Sequence, residues 1–117
     1  MDWRKFFLSF RFAWEGIATA LREQNMRFHV VAAVIVVVVG MLTGLTFLEW
    51  CIIIVVIGLV FAAEMFNTAI ERVVDLASPD IHPLAKQAKD IAAGAVLVIA
   101  VISVIIGILI FIPNWIS

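Results

Sequence analysis

Three carboxylates, an amide and a hydroxyl recur within one short segment of the sequence, at Glu64, Asn67, Thr68, Glu71 and Asp75. On a helix that turns about 100° per residue, these five side chains share one sector roughly 100° wide. The segment directly follows an apolar run at residues 50–63, and no Gly or Pro separates the two. The spacing predicts a polar helix face at the edge of a membrane, suited to metal binding and catalysis.

Oxygen ligands of this kind suit two chemical tasks. A carboxylate partly removed from water binds a proton more readily, as a general base must. Several acidic residues with an Asn also suit Mg²⁺, which takes one or two protein carboxylates together with the phosphates of a nucleotide. Lys89 lies beside Asp90 at the start of the last apolar run and suits a phosphate. The combination indicates phosphoryl transfer at a membrane surface.

The elements that must position these groups are membrane helices. The chain has 117 residues, of which 65% are hydrophobic and 15% charged, and this composition predicts one all-α membrane domain over residues 1–117. We expect transmembrane helices at about 28–48, 50–72 and 91–112, since about 20 residues cross the hydrocarbon core. A tight turn is predicted at 46–49 and a loop at 78–89, and Pro113 is expected to end the third span.

The first segment, at residues 3–22, carries aromatic side chains at helical spacing with cations largely between them. This pattern predicts an amphipathic helix at the membrane surface, either as a plain anchor or with cations that help to hold a phosphate-bearing ligand. All 8 Lys and Arg residues precede the first span or follow the second. We therefore expect the N-terminus and the polar groups to be cytoplasmic and the C-terminus to be outside.

Several classes of function are disfavoured. A net charge of −1 argues against a nucleic-acid partner. The sequence has no Walker-type phosphate loop and no protein-kinase catalytic loop, so a nucleotide site here would be of an unusual kind. No Cys/His metal spacing exists, because the chain has one Cys and two distant His residues. A small proton-coupled transporter using Glu64, or a holin-like membrane protein, remains as an alternative.

The pattern Glu64-x-x-Asn67-Thr68-Ala69-Ile70-Glu71-x-Val73-Val74-Asp75, followed by Lys89-Asp90, resembles the prokaryotic diacylglycerol kinase/undecaprenol kinase family. The resemblance covers nearly the whole chain. It implies a small multi-pass lipid kinase of a bacterial plasma membrane that uses ATP and Mg²⁺. It also implies a homotrimer whose active sites are shared between neighbouring protomers.

The resemblance implies roles at matching positions. Glu64 corresponds to the general base that takes the proton of the lipid hydroxyl, and Glu23 and Glu71 to ligands of the Mg²⁺ carried by ATP. Asn67 and Asp75 would orient this group. The residues expected to contact ATP are Glu23, Glu71, Asp80, Ile81, His82, Lys89 and Asp90. Lys5 is the nearest match to a basic N-terminal residue of the family.

The resemblance covers kinases that act on two different lipids. Undecaprenol and diacylglycerol both offer a hydroxyl group above long apolar tails, so the catalytic residues do not discriminate between them. The segments Ser9–Ile17 and Asn25–His29 look more like the members that prefer undecaprenol. Undecaprenol is therefore the expected substrate, with diacylglycerol as the alternative.

Overall fold

The computed structural model of the protein describes residues 1–117 and contains four α-helices. They are α1 (Trp3–Ala20), α2 (Gln24–Thr43), α3 (Phe47–Ala77) and α4 (Pro83–Ile116). The last three are each long and apolar enough to cross a membrane. The prediction of an all-α chain with three such helices is confirmed, whereas the position of α1 at a membrane surface stays a prediction.

The connection between α2 and α3 comprises residues 44–46, one residue shorter than the predicted turn at 46–49. The predicted position is wrong, because the turn begins two residues earlier. Gly44 ends α2 in the left-handed conformation, with a φ of 80°, which costs glycine little. Thr46 then caps α3, and its Oγ1 accepts a hydrogen bond of 3.2 Å from the backbone N–H of Glu49. In return, the Glu49 Oε1 accepts one of 3.0 Å from the Thr46 N–H, which completes a capping box.

The connection between α3 and α4 is also shorter than the predicted loop at 78–89, because α4 begins at Pro83. Proline suits the first position of a helix, where its missing N–H would have no partner in any case. The His82 Nδ1 caps the helix by accepting a hydrogen bond of 3.1 Å from the Leu84 N–H. Lys89 and Asp90 therefore lie in the second turn of α4 and do not open the helix.

Pro113 does not end the last helix, which continues to Ile116. Its missing N–H deprives only the Leu109 carbonyl of its helical partner. The next side chain adds a further bond, since the Asn114 Nδ2 donates to the Ile110 carbonyl at 2.7 Å. The same amide donates to the Glu49 Oε2 at 2.9 Å, and so ties the end of α4 to the start of α3. The prediction that the helix stops at this proline is therefore wrong, because one missing N–H is tolerated in a helix held by its neighbours. The end of the membrane span near residue 112 stays a prediction.

The chain has a small core along α3 and α4. Ile53 of α3 packs with Ile110 and Phe111 of α4, and only nine of 117 residues are buried. Most apolar side chains therefore face outward, as expected of helices whose surroundings are lipid or other chains. The antiparallel pair α3–α4 forms the frame, and α2 packs against it near the polar groups of α3.

Candidate active site

Glu64 lies on α3 where the apolar part of the helix gives way to the polar part. Its side chain is only 5% exposed, although it carries a carboxylate. The Oε2 atom lies 3.5 Å from the Nε2 of His29, which projects from the first turns of α2. No Lys or Arg nitrogen lies within 4.0 Å of the Glu64 carboxylate. The predicted base is thus buried and faces one imidazole.

Asn67 lies one turn further along the same face of α3 and is also buried. Its Nδ2 donates a hydrogen bond of 3.2 Å to the Oε1 of Glu71. Its Oδ1 is buried without a hydrogen-bond partner, which is unusual for a polar atom. A buried amide oxygen next to a carboxylate is a donor set that a hard cation such as Mg²⁺ prefers. These residues therefore fit the predicted metal.

Glu23 joins this region from the turn between α1 and α2. Its Oε1 accepts a hydrogen bond of 2.8 Å from the Nη2 of Arg72, the neighbour of Glu71 in sequence. The contact brings the two predicted metal ligands, Glu23 and Glu71, to the same part of α3. Three acidic, imidazole or thiol groups do not converge at any one point of the chain. Two carboxylates are enough for an ion that also binds nucleotide phosphates.

A second polar cluster lies where α3 ends and α4 begins. Lys89 forms an ion pair with Asp75, and Lys86 forms one of 2.6 Å with the Oδ2 of Asp90. Lys86 precedes the apolar part of α4, and its hydrogen bond to Asp90 raises the pKa of this lysine above its ordinary value. A cleft of about 320 Å³ here is lined by Val74, Asp75, Ser78, Pro79, Asp80, Ile81, His82, Ala85, Lys86 and Lys89.

The structure therefore divides the predicted site residues into two groups. Glu64, Asn67 and Glu71 lie along the first part of the polar face of α3, and Glu23 reaches this face from the α1–α2 turn. The remaining nucleotide-contact residues lie near the end of α3 and the start of α4. Asp75 comes 11 residues after Glu64, which is about 16 Å along a helix. The Lys5 side chain forms no ion pair or hydrogen bond and belongs to neither group.

His29 is a contact that the sequence interpretation missed. In the sequence it figures in the segment Asn25–His29 and as one of two histidines without metal-ligand spacing, but not as a partner of Glu64. A signal was present, since His29 is the only ionisable residue between Phe28 and Leu48 and lies at the start of that span. Its contact with Glu64 depends on how α2 is placed against α3, and no local pattern records that placement.

An apolar groove of about 430 Å³ runs between α2, α3 and α4. His29 lies at its polar end, while Val60 and Phe61 bring the groove to within one turn of Glu64. The remaining lining residues are Phe28, Ala32, Ala33, Val36, Ile53, Val56, Ile57, Ala100, Ser103, Val104, Ile106, Gly107 and Phe111. An apolar chain in this groove would carry a terminal hydroxyl group close to Glu64 and His29.

Residues 11–111 match the sequence profile of the prokaryotic diacylglycerol kinase family. The chain belongs to this family. The kinase is 54% identical to the undecaprenol kinase of Bacillus subtilis over 94% of its own length and 90% of that protein. It is 40% identical to the diacylglycerol kinase of Synechocystis over 94% of its own length and 64% of that protein. The diacylglycerol kinase of Escherichia coli K12 is 32% identical, over 80% and 78% of the two chains.

The family confirms the prediction that this chain is a membrane lipid kinase. A kinase of this family uses ATP as its co-substrate, and the three long apolar helices agree with a membrane protein. The relatives named above include both an undecaprenol kinase and diacylglycerol kinases. Both lipids considered from the sequence are therefore represented in the family.

Proposed function

We propose that this kinase transfers the γ-phosphoryl group of ATP to the hydroxyl group of undecaprenol, with Glu64 as the general base. The observation that carries the proposal is the buried Glu64 carboxylate, which lies within one helical turn of a groove lined by apolar residues. The choice of lipid rests on the 54% identity to the undecaprenol kinase of Bacillus subtilis, which covers nearly the whole of both chains.

In the proposed reaction, the hydroxyl group of the lipid approaches Glu64 from the groove. The carboxylate accepts the hydroxyl proton as the oxygen forms a bond to the γ-phosphorus of ATP. The bond between that phosphorus and the β–γ bridging oxygen breaks, and ADP leaves with the bridging oxygen. Burial of Glu64 excludes water, which would otherwise compete with the lipid for the phosphoryl group.

Glu23 and Glu71 would hold the Mg²⁺ carried by ATP, and Asn67 and Asp75 would orient these ligands. The donor set supports this assignment, because Asn67 already binds Glu71 and has a buried oxygen without a partner. When bound, the ion neutralises charge on the β- and γ-phosphates. Arg72 holds the Glu23 side chain against α3 through its 2.8 Å hydrogen bond.

The cleft between α3 and α4 is the proposed contact for the rest of the nucleotide. Lys89 would bind phosphate and Asp90 would fix the neighbouring Lys86, with which it is paired. Asp80, Ile81 and His82 form the connecting loop of the same cleft and complete the proposed set. Lys5 is proposed as an additional cationic contact from the N-terminal segment.

The proposed orientation of the chain in the membrane follows from the positions of its Lys and Arg residues. The N-terminus and the active site face the cytoplasm, α1 lies on that surface of the plasma membrane, and the C-terminus lies outside. The proposed assembly is a homotrimer in which neighbouring chains share active sites. The many outward-facing apolar side chains leave ample surface for such an assembly.

Diacylglycerol is the second candidate substrate, because the Synechocystis and Escherichia coli relatives are diacylglycerol kinases. A transporter or holin-like role explains the observations less well. Neither role requires one chain to combine a buried carboxylate, an amide oxygen without a hydrogen-bond partner and a separate cleft lined by two lysines. Membership of the family also favours a kinase.

The decisive experiment compares both lipids with the purified protein in the same detergent micelles. Undecaprenol and dioleoylglycerol are supplied at equal mole fraction with labelled ATP and Mg²⁺, and the lipid products are separated. We expect faster phosphorylation of undecaprenol and none without ATP. Faster phosphorylation of the diacylglycerol would overturn the choice of lipid, and failure of both acceptors would overturn the kinase assignment.

A further inference from the structure

We propose that His29 is a positioning residue for Glu64, which holds one carboxylate oxygen so that the other faces the substrate hydroxyl group. The inference deepens the proposed function, since it takes Glu64 as the general base. His29 itself touches neither ATP nor the phosphorus atom in this proposal. It acts by fixing the orientation of the Glu64 side chain.

The contact joins two buried or nearly buried side chains from different helices. The His29 Nε2 lies 3.5 Å from the Glu64 Oε2, and the two side chains are 16% and 5% exposed. The distance is slightly long for a hydrogen bond, as is common for catalytic contacts before substrate binds. A small shift of either side chain would bring the Nε2 of His29 within hydrogen-bond distance of Oε2.

No other charged group competes for this position. On α3, Glu71 is bonded to Asn67 and not to Glu64. On α4, the ionisable residues nearest to the apolar part of the helix are Lys89 and Asp90. Lys89 pairs with Asp75, and Asp90 pairs with Lys86. Glu23, which precedes α2, is paired with Arg72. His29 is thus the only ionisable side chain with a nitrogen close enough to orient Glu64.

The groove explains why orientation matters. His29 lines the polar end of the apolar groove, so a lipid chain lying there passes the imidazole before its hydroxyl group reaches Glu64. With Oε2 held by His29, Oε1 is the oxygen that can accept the hydroxyl proton. A carboxylate without this contact can rotate about its last torsion, and a misoriented base lowers turnover more than it weakens lipid binding.

The contact itself is tested without any enzymatic assay, because the chain has two histidines, His29 and His82. The protein is labelled with ¹⁵N-histidine in micelles, and the imidazole signals are assigned with His29→Gln. We expect Glu64→Gln to move the Nε2 signal of His29 and to leave that of His82 in place. An unchanged His29 signal would show that the two side chains do not interact, and would overturn the proposal.

The role is tested by separating kcat from KM in His29→Leu and His29→Gln. We expect His29→Leu to lower kcat by roughly 10–100-fold, the loss typical of one hydrogen bond to a charged group, with little change in the KM for lipid. Glutamine keeps an N–H donor at a similar reach, so His29→Gln should recover much of that loss. Val31→Leu, an exposed change on the same helix, should leave both constants unchanged.

The outcomes separate this inference from the proposed function. If the unaltered protein phosphorylates a lipid and His29→Leu keeps its kcat, the positioning role is wrong while the kinase assignment stands. Equal losses in His29→Leu and His29→Gln would likewise contradict a role as hydrogen-bond donor. If neither lipid is phosphorylated, the proposed function fails, and the imidazole signals still decide whether His29 binds Glu64.

Discussion

At the scale of single residues, Glu64 and Asn67 stand apart because they are the only buried side chains with polar atoms. Burial of a carboxylate or an amide costs free energy unless each polar atom finds a partner. Here the Asn67 Oδ1 has none, and Glu64 has only the imidazole of His29. Groups of this kind inside a membrane protein mark functional sites by default, and their substitution is therefore informative.

The first prediction concerns Glu64→Gln, which keeps the size of the side chain but removes the base. We expect a loss of lipid phosphorylation of about 10²–10⁴-fold, the usual contribution of general acid–base catalysis. The thermal unfolding midpoint should not fall, because a neutral amide is less costly to bury than a carboxylate. Glu15→Gln removes an exposed carboxylate of α1 and serves as the control. Turnover by Glu64→Gln equal to that of the control would exclude the role as base.

The second prediction concerns Glu71→Gln and its dependence on Mg²⁺. Loss of one carboxylate ligand should raise the Mg²⁺ concentration needed for half-maximal rate by at least about 10-fold at fixed ATP. Glu23→Gln should act in the same direction, and removal of Mg²⁺ with a chelator should stop turnover of the unaltered protein. Titration of rate against Mg²⁺ is the measurement. A Glu71→Gln curve that overlays the unaltered one would show that Glu71 is not a ligand.

The residue scale is where the sequence was both most and least informative. The spacing of Glu64, Asn67 and Glu71 placed them on one helix face, and the Asn67–Glu71 hydrogen bond agrees with that face. The contact between His29 and Glu64 could not be predicted from residue spacing. That contact depends on the rotation and height of α2 against α3, which are set by packing between distant parts of the chain.

At the scale of elements, long apolar runs predicted the helices well, but proline was misleading at both ends of α4. The sequence pattern places Pro83 in a loop, whereas in the structure it is the first residue of α4, directly after the His82 N-cap. The sequence pattern predicts a stop at Pro113, whereas α4 continues to Ile116. Proline has either effect according to its partners, so the sequence alone does not decide these boundaries.

The third prediction tests how closely α2 and α3 approach at their far ends. A methyl group added at Gly40 would lie 2.8 Å from the Cη2 of Trp50 and 3.1 Å from the Cδ1 of Leu45. Since one of these groups must shift, Gly40→Ala should destabilise the protein by about 1–3 kcal/mol. The measurement is the free energy of unfolding in mixed micelles.

Gly58→Ala is the matched control, since it makes the same change in a membrane helix with nothing within 4 Å of the added atom. It should be neutral, or stabilising by up to about 1 kcal/mol through helix propensity. Equal stability of Gly40→Ala and Gly58→Ala would show that Trp50 does not approach Gly40 this closely in the folded protein.

At the scale of the whole molecule, the two polar clusters are too far apart to act on one phosphoryl group by themselves. Glu64 must reach the γ-phosphate, and about 16 Å of helix separate it from Asp75, which pairs with Lys89. Either the nucleotide extends along the polar face of one α3, or Lys89 acts with the Glu64 of a neighbouring chain. The proposed trimer with shared sites corresponds to the second arrangement.

The fourth prediction distinguishes these arrangements by mixing two inactive variants, Glu64→Gln and Lys89→Met. Each variant alone should be nearly inactive, since each lacks one proposed essential group. Suppose that each site combines Glu64 of one chain with Lys89 of the next chain around the trimer. A site is then intact when its first chain is the Lys89→Met variant, which keeps Glu64, and its second chain is the Glu64→Gln variant, which keeps Lys89. With equal amounts, about a quarter of the sites meet that condition by the symmetry of a closed ring.

The mixed protein, dissociated and reassembled in micelles, should therefore recover about a quarter of the rate of the unaltered protein treated in the same way. The rate should vary with the mixing ratio and be highest at equal amounts, because an intact site needs one chain of each kind. The control mixes the Glu64→Gln variant with a double variant that carries both Glu64→Gln and Lys89→Met. This mixture should stay inactive, since neither chain supplies a base. No recovery in the first mixture would place both groups in one chain, and the nucleotide would then have to lie along a single α3.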